Sequence, residues 1–151
     1  MTRLLPATLC IANALAYALN IIETSGFGPF SSSFSSDQDN ASISQKYQTI
    51  ITPSGIAFSI WAVIFIMQLV FVLVTLVSEE RRNHPLVVGG VGFWYVLACI
   101  AQTLWSPAFA YEKMPLAVFI MSCILASLAT IVYRQYNVVT TMLANQETVK
   151  N

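Results

Sequence analysis

The segment Thr52–Val77, TPSGIAFSIWAVIFIMQLVFVLVTLV, constrains this chain more than any other. It runs for about 25 residues without a charged side chain, and at ~1.5 Å rise per residue a helix of that length crosses the roughly 30 Å hydrocarbon core of a bilayer. Thr52 fits the N-cap and Pro53 the first helical position, where a missing N–H costs nothing. Ser78-Glu79-Glu80-Arg81-Arg82 then ends the span in water.

The remaining apolar runs follow the same logic. Charged residues make up 9% of the 151 residues and hydrophobic ones 56%, which places the whole chain in the membrane class and leaves no soluble domain to find. Four spans are expected, at about residues 4–22, 53–77, 86–109 and 114–133, in a single all-α, polytopic integral membrane domain forming a four-helix bundle. The first run has the length of a signal-peptide core as well. Its Asn13, Tyr17 and Asn20 share one helical face, however, so it is expected to remain as a helix. The third and fourth spans form a hairpin through the tight turn Ala110-Tyr111-Glu112-Lys113. Pro107 is expected to kink or end the third span, and Gly89, Gly90 and Gly92 to admit a close neighbour near its start. Residues 134–151 read as a polar tail, with Tyr133 and Tyr136 beside Arg134 as an interfacial anchor.

The loop at residues 23–52 carries Phe27, Phe30 and Phe34 among serines and glycines, and the sequon Asn40-Ala41-Ser42. A loop of about 29 residues is usually functional or bound to a partner. Arg3, Arg81, Arg82, Arg134 and Lys150 share one side of a four-span arrangement, against Lys46 and Lys113 on the other. Both termini are therefore expected to face the cytoplasm, matrix or stroma of a thylakoid, mitochondrial or bacterial inner membrane.

Formal net charge is zero, so no nucleic-acid partner is indicated. Cys10, Cys99 and Cys123 lie in apolar runs without ligand spacing and are expected to be packing residues, with no metal site. The single histidine, His84, excludes a His-based triad or a two-His metal site within one chain. It reads as an interfacial residue beside Arg81 and Arg82, or as the ligand of a pigment such as chlorophyll or haem. No acidic residue lies inside an expected span, which disfavours a carboxylate-based proton-coupled transporter. Lys113, Phe119 and Leu125 fit the loose reversed cholesterol pattern, which is too common to decide anything.

The uncharged polar residues within spans are more telling. Asn13, Asn20, Gln68 and Gln102 must find partners in lipid, so they are expected to face the bundle interior, either bonding between helices or lining a cavity. Phe58, Trp61 and Phe65 recur on one face of the second span, a packing surface or a pocket wall.

Two segments together resemble the TspO/translocator family, in particular its tryptophan-rich sensory protein branch. Thr52-Pro53-Ser54-Gly55 leading to Phe58, Trp61 and Phe65 is similar to the start of the family's second helix. Gln102-Thr103-Leu104-Trp105-Ser106-Pro107-Ala108-Phe109 is similar to its Asn-x-x-Trp-Ser-x-x-Phe-Phe segment, with Gln102 in place of the Asn and Ala110 in place of the second Phe. The resemblance covers about residues 4–133 and leaves the family's fifth helix without a counterpart, as in a shortened or fragmentary relative. It implies a non-enzymatic protein binding a tetrapyrrole (porphyrin or chlorophyll), a sterol or a lipid, with Phe58, Trp61, Phe65, Gln102, Trp105 and Phe109 facing the ligand. The alternative is a structural accessory subunit of a photosynthetic or respiratory complex, meeting lipids, pigments and other subunits through the 23–52 loop and its small-residue helix faces.

Overall fold

The computed structural model describes residues 4–25, Lys46 and residues 59–150. The start of the second span, including Phe58, and most of the 23–52 loop lie outside the described residues. Within them the chain is helical, with no strand. Helix α1 spans Leu4–Thr24, α2 Ile60–Val77, the short α3 Glu79–Arg82, α4 Trp94–Ala110 and α5 Met114–Lys150, and a π-helical turn at Leu86–Val91 precedes α4. Three of these are long and apolar enough to cross a membrane: α1, α2 and the apolar part of α5. The chain is an integral membrane protein.

Helix α1 runs past its expected end and carries Glu23, which is buried. An acidic side chain therefore does lie within a membrane helix, contrary to the sequence reading. Helix α2 ends where expected, at Ser78, whose hydroxyl accepts the backbone N–H of Arg81 and starts α3. Only Val72 and Thr75 of α2 are buried, so most of its surface is left for lipid.

The third span departs from expectation. Residues 86–109 are not one helix: the π-helical turn ends at Gly92, whose φ of 49° breaks the backbone before α4 begins. A positive φ is open to glycine without the Cβ clash that other residues suffer. Pro107 is accommodated in the last turn of α4, whose final residue is Ala110. The turn into α5 puts Glu112 at φ 57°, with Lys113 N–H donating to Ala108 O at 3.0 Å.

The expected polar tail is helical as well. Helix α5 has 37 residues, about 55 Å at ~1.5 Å per residue, and outruns the bilayer core. Its bundle-facing stripe, Ala117, Ile120, Ile124, Ser127 and Ile131, continues through Gln135, Val138 and Met142. Gln135 and Val138 ride on the glycines of the π turn. A Cβ on Gly90 would stand 2.6 Å from Gln135 Cγ, and one on Gly89 3.4 Å from Val138 Cγ2. Arg134 Nε donates to Gly89 O at 2.9 Å, so the glycines expected to admit a neighbour admit α5.

Two clusters form the core. One joins Ala16 and Tyr17 of α1, Val72 of α2, and Val91, Tyr95, Val96 and Cys99 around the start of α4. The other joins Trp105 and Ala108 of α4 to Ala117 and Ile124 of α5. Helix α2 packs on α1, and α5 on α4 and the π turn, which leaves α2 and α5 as facing walls of a groove.

Candidate functional site

That groove has a volume of about 650 Å³, within the ~300–1,000 Å³ range of small-molecule sites. Ile60, Trp61, Val63, Ile64, Met67, Gln68 and Phe71 of α2 form one wall; Met121, Ile124, Leu128 and Ile131 of α5 form the other. Val91, Tyr95, Ala98 and Gln102 make the floor. Ile60, Val63 and Met67 are about 60% exposed, so the groove opens sideways, toward lipid.

Its polar element is a three-helix amide junction. Asn20 Nδ2 of α1 donates to Gln102 Oε1 of α4 at 2.8 Å, and Gln68 Nε2 of α2 donates to the same oxygen at 3.1 Å. Thr24 Oγ1 donates to Asn20 Oδ1 at 3.4 Å. Asn20 is fully buried and Gln102 nearly so. In an apolar interior an unmet amide is costly, so this shared acceptor ties three helices at one level. Tyr17 OH adds a second tie between α1 and α2 by donating to Phe65 O at 3.1 Å.

Beside the junction lies a file of stacked aromatics. Trp61 lies on Trp105 with ring centres 5.3 Å apart, Trp105 on Phe109 at 5.1 Å, and Trp61 on Phe65 at 6.1 Å. The separations fall in the range where offset stacking is favourable. At the other end of the groove Phe71 meets Tyr95 at 5.1 Å.

The structure thus brings five of the residues singled out from sequence into one neighbourhood, in different parts. Trp61 and Gln102 line the groove itself. Trp105 and Phe109 stand behind Trp61, and Phe65 packs toward the α1 contact. Phe58 lies outside the described residues. His84 is not among them: it is exposed in the connector, and its Nδ1 accepts the backbone N–H of Leu86 at 3.3 Å.

Sequence reasoning missed Phe71, Tyr95 and Met121 as groove residues and left Gln68 out of the site. The first was findable, since Phe71 continues the Trp61/Phe65/Gln68 face at helical spacing. Tyr95 and Met121 carry no local signal, because their position depends on how α4 and α5 pack.

A family model described as TSPO-like protein matches residues 8–149 of the chain. The match continues beyond residue 133, through the helical extension of α5. No curated protein and no solved structure matches.

Proposed function

The chain belongs to the TSPO-like family, and from that premise we propose that it is a non-enzymatic membrane protein that takes a flat or elongated apolar ligand, of tetrapyrrole or sterol type, into the groove between α2 and α5. One observation carries the reading: the groove is an apolar cleft of ligand size on which the Gln68 and Gln102 amides and the Trp61 indole converge. Among its described lining residues there is no carboxylate, imidazole, thiol or amine, a set suited to holding a molecule rather than reacting with it. Trp105 and Phe109 act behind Trp61, fixing the plane a ligand ring would meet. Titrating the purified chain with protoporphyrin IX and reading tryptophan fluorescence tests it: saturable quenching, weakened in Trp61→Ala, supports the reading, and unsaturable quenching indifferent to the substitution defeats it.

The same proposal includes an orientation. Arg81, Arg82 and Arg134 gather at one end of the bundle, and by the bias of basic residues that end faces cytoplasm, matrix or stroma, placing both termini there.

A second reading has its own observation. Ser122 and Ala126 are exposed on α5 and Thr130 is partly so, while Ser122 Oγ and Thr130 Oγ1 turn back to Val118 O and Ala126 O. This smooth face fits another subunit's helix, as in an accessory subunit of a larger membrane complex. Co-migration with a large species in mild detergent would support that role, and a lone small species would count against it.

A further inference from the structure

We propose that the groove draws its ligand from one leaflet only, the one on the side of the α4–α5 turn, and holds it with its polar end beside that turn and its apolar end toward the π turn. This direction presupposes that the groove is a ligand site. The aromatic contacts mark its two ends. Trp61 stacks on Trp105, and Trp105 on Phe109, next to the last residue of α4, whereas Phe71 meets Tyr95, next to the first. From Ile60 to Phe71 the α2 wall rises about 16 Å, close to half of the roughly 30 Å hydrocarbon core and so to one leaflet.

The ends differ in what they offer a polar group. At the turn end Ile60 and Val63 are 60% and 59% exposed. With Ser78 at the water boundary, Ile60 lies about 27 Å away, near the opposite face of the core, where headgroups and water are within reach. Phe71 lies only about 10 Å from Ser78, still inside the hydrocarbon. The π-turn end is also closed. Val91 and Tyr95 are buried at its floor, and α5 sits directly on the turn, where a Cβ on Gly90 would stand 2.6 Å from Gln135 Cγ. Among the described lining residues, the polar side chain at this end is Tyr95, whose hydroxyl is buried out of a ligand's reach. Halfway along, the Gln68 and Gln102 amides are joined to each other. A ligand hydroxyl at the closed end would therefore lose its hydration without gaining a partner, and at the turn end it keeps it.

The test uses the full chain in phosphatidylcholine nanodiscs, whose two leaflets both receive the probe. Two isomeric sterols are compared, one with a diazirine in the ring beside the hydroxyl and one with it at the tip of the side chain, counting only labels that excess unlabelled sterol suppresses. The ring probe is expected on Ile60, Trp61 and Met121 about tenfold more than on Phe71, Leu128 and Ile131, and the side-chain probe with the reverse preference. The opposite pattern overturns the proposed direction. So does a ring probe that labels both ends equally, which is the signature of ordinary bilayer sterol from both leaflets. If neither isomer gives a saturable label while protoporphyrin IX still quenches in a Trp61-dependent way, leaflet selection fails and the groove remains a ligand site. If protoporphyrin IX fails as well, both readings fall.

Discussion

Trp61 of α2 and Trp105 of α4 lie with ring centres 5.3 Å apart and planes inclined by 27°, yet only Trp105 is buried. The pair divides two roles. Trp105 fills the interior beside Ala117 and Ile124, whereas Trp61 is partly exposed and lines the groove.

The two indoles should therefore respond differently to truncation. Trp105→Ala opens a cavity in the core and is expected to cost about 3–5 kcal/mol of stability. Trp61→Ala should cost clearly less, about 1–2 kcal/mol, and lower ligand affinity about tenfold. Unfolding in mixed micelles and a quenching titration separate the effects. Equal losses of stability would contradict the division.

Gln102 is the shared acceptor of the amide junction, so Gln102→Leu strands the Asn20 and Gln68 donors in an apolar interior. A loss of about 1–3 kcal/mol is expected, bounded by the modest worth of interhelical hydrogen bonds measured in membranes. In a double-mutant cycle, Asn20→Ala and Gln102→Leu should be non-additive. Additive losses would show that the bond contributes nothing.

Tyr17→Phe removes one donor and strands no side-chain acceptor, since its partner is the backbone oxygen of Phe65. The expected cost is about 0.5–1.5 kcal/mol, smaller than for Gln102→Leu. The same unfolding measurement, run beside Gln102→Leu, checks the order of the two.

At the π turn, neighbouring glycines should differ. Gly90→Ala would press a methyl into Gln135 at 2.6 Å, close to that residue's backbone, and is expected to cost about 1–3 kcal/mol by pushing α5 away. Gly89→Ala meets only Val138 Cγ2 at 3.4 Å and should change stability by less than about 0.5 kcal/mol. Thermal unfolding of the two variants side by side checks the contrast.

Much of this arrangement was legible in the chain, and the limits have physical causes. The spans at α1 and α2 follow from apolar length, and the interior position of Asn20, Gln68 and Gln102 from the cost of an amide in lipid. Trp61, Gln102 and Trp105 were reached by resemblance to a family that the match over residues 8–149 shows. The break at Gly92 was not foreseen, because a glycine in an apolar run fits both a thin helix and a left-handed turn. Residues 134–151 read as a tail because their composition is polar, and the helix continuing through them to Lys150 was not foreseen. Their first turns pack where Gln135 and Val138 lie on the glycines of the π turn. Glu23 was placed in a loop for the same reason, a charge being taken as the end of a helix that runs two residues further, to Thr24. The groove itself has no sequence signature, since it arises from α2 leaning on α1 and leaving α5 unmet.

Photolabelling shows directly whether the space between α2 and α5 holds the ligand. The chain in nanodiscs would be irradiated with a diazirine-bearing sterol probe, and the labelled residues mapped by mass spectrometry. Saturable labels are expected on the facing walls, at residues such as Met67, Phe71, Met121 and Leu128, suppressed by excess unlabelled sterol. Labels spread without saturation over lipid-facing positions such as Leu15, Val118 and Leu125, with the groove residues spared, would contradict it.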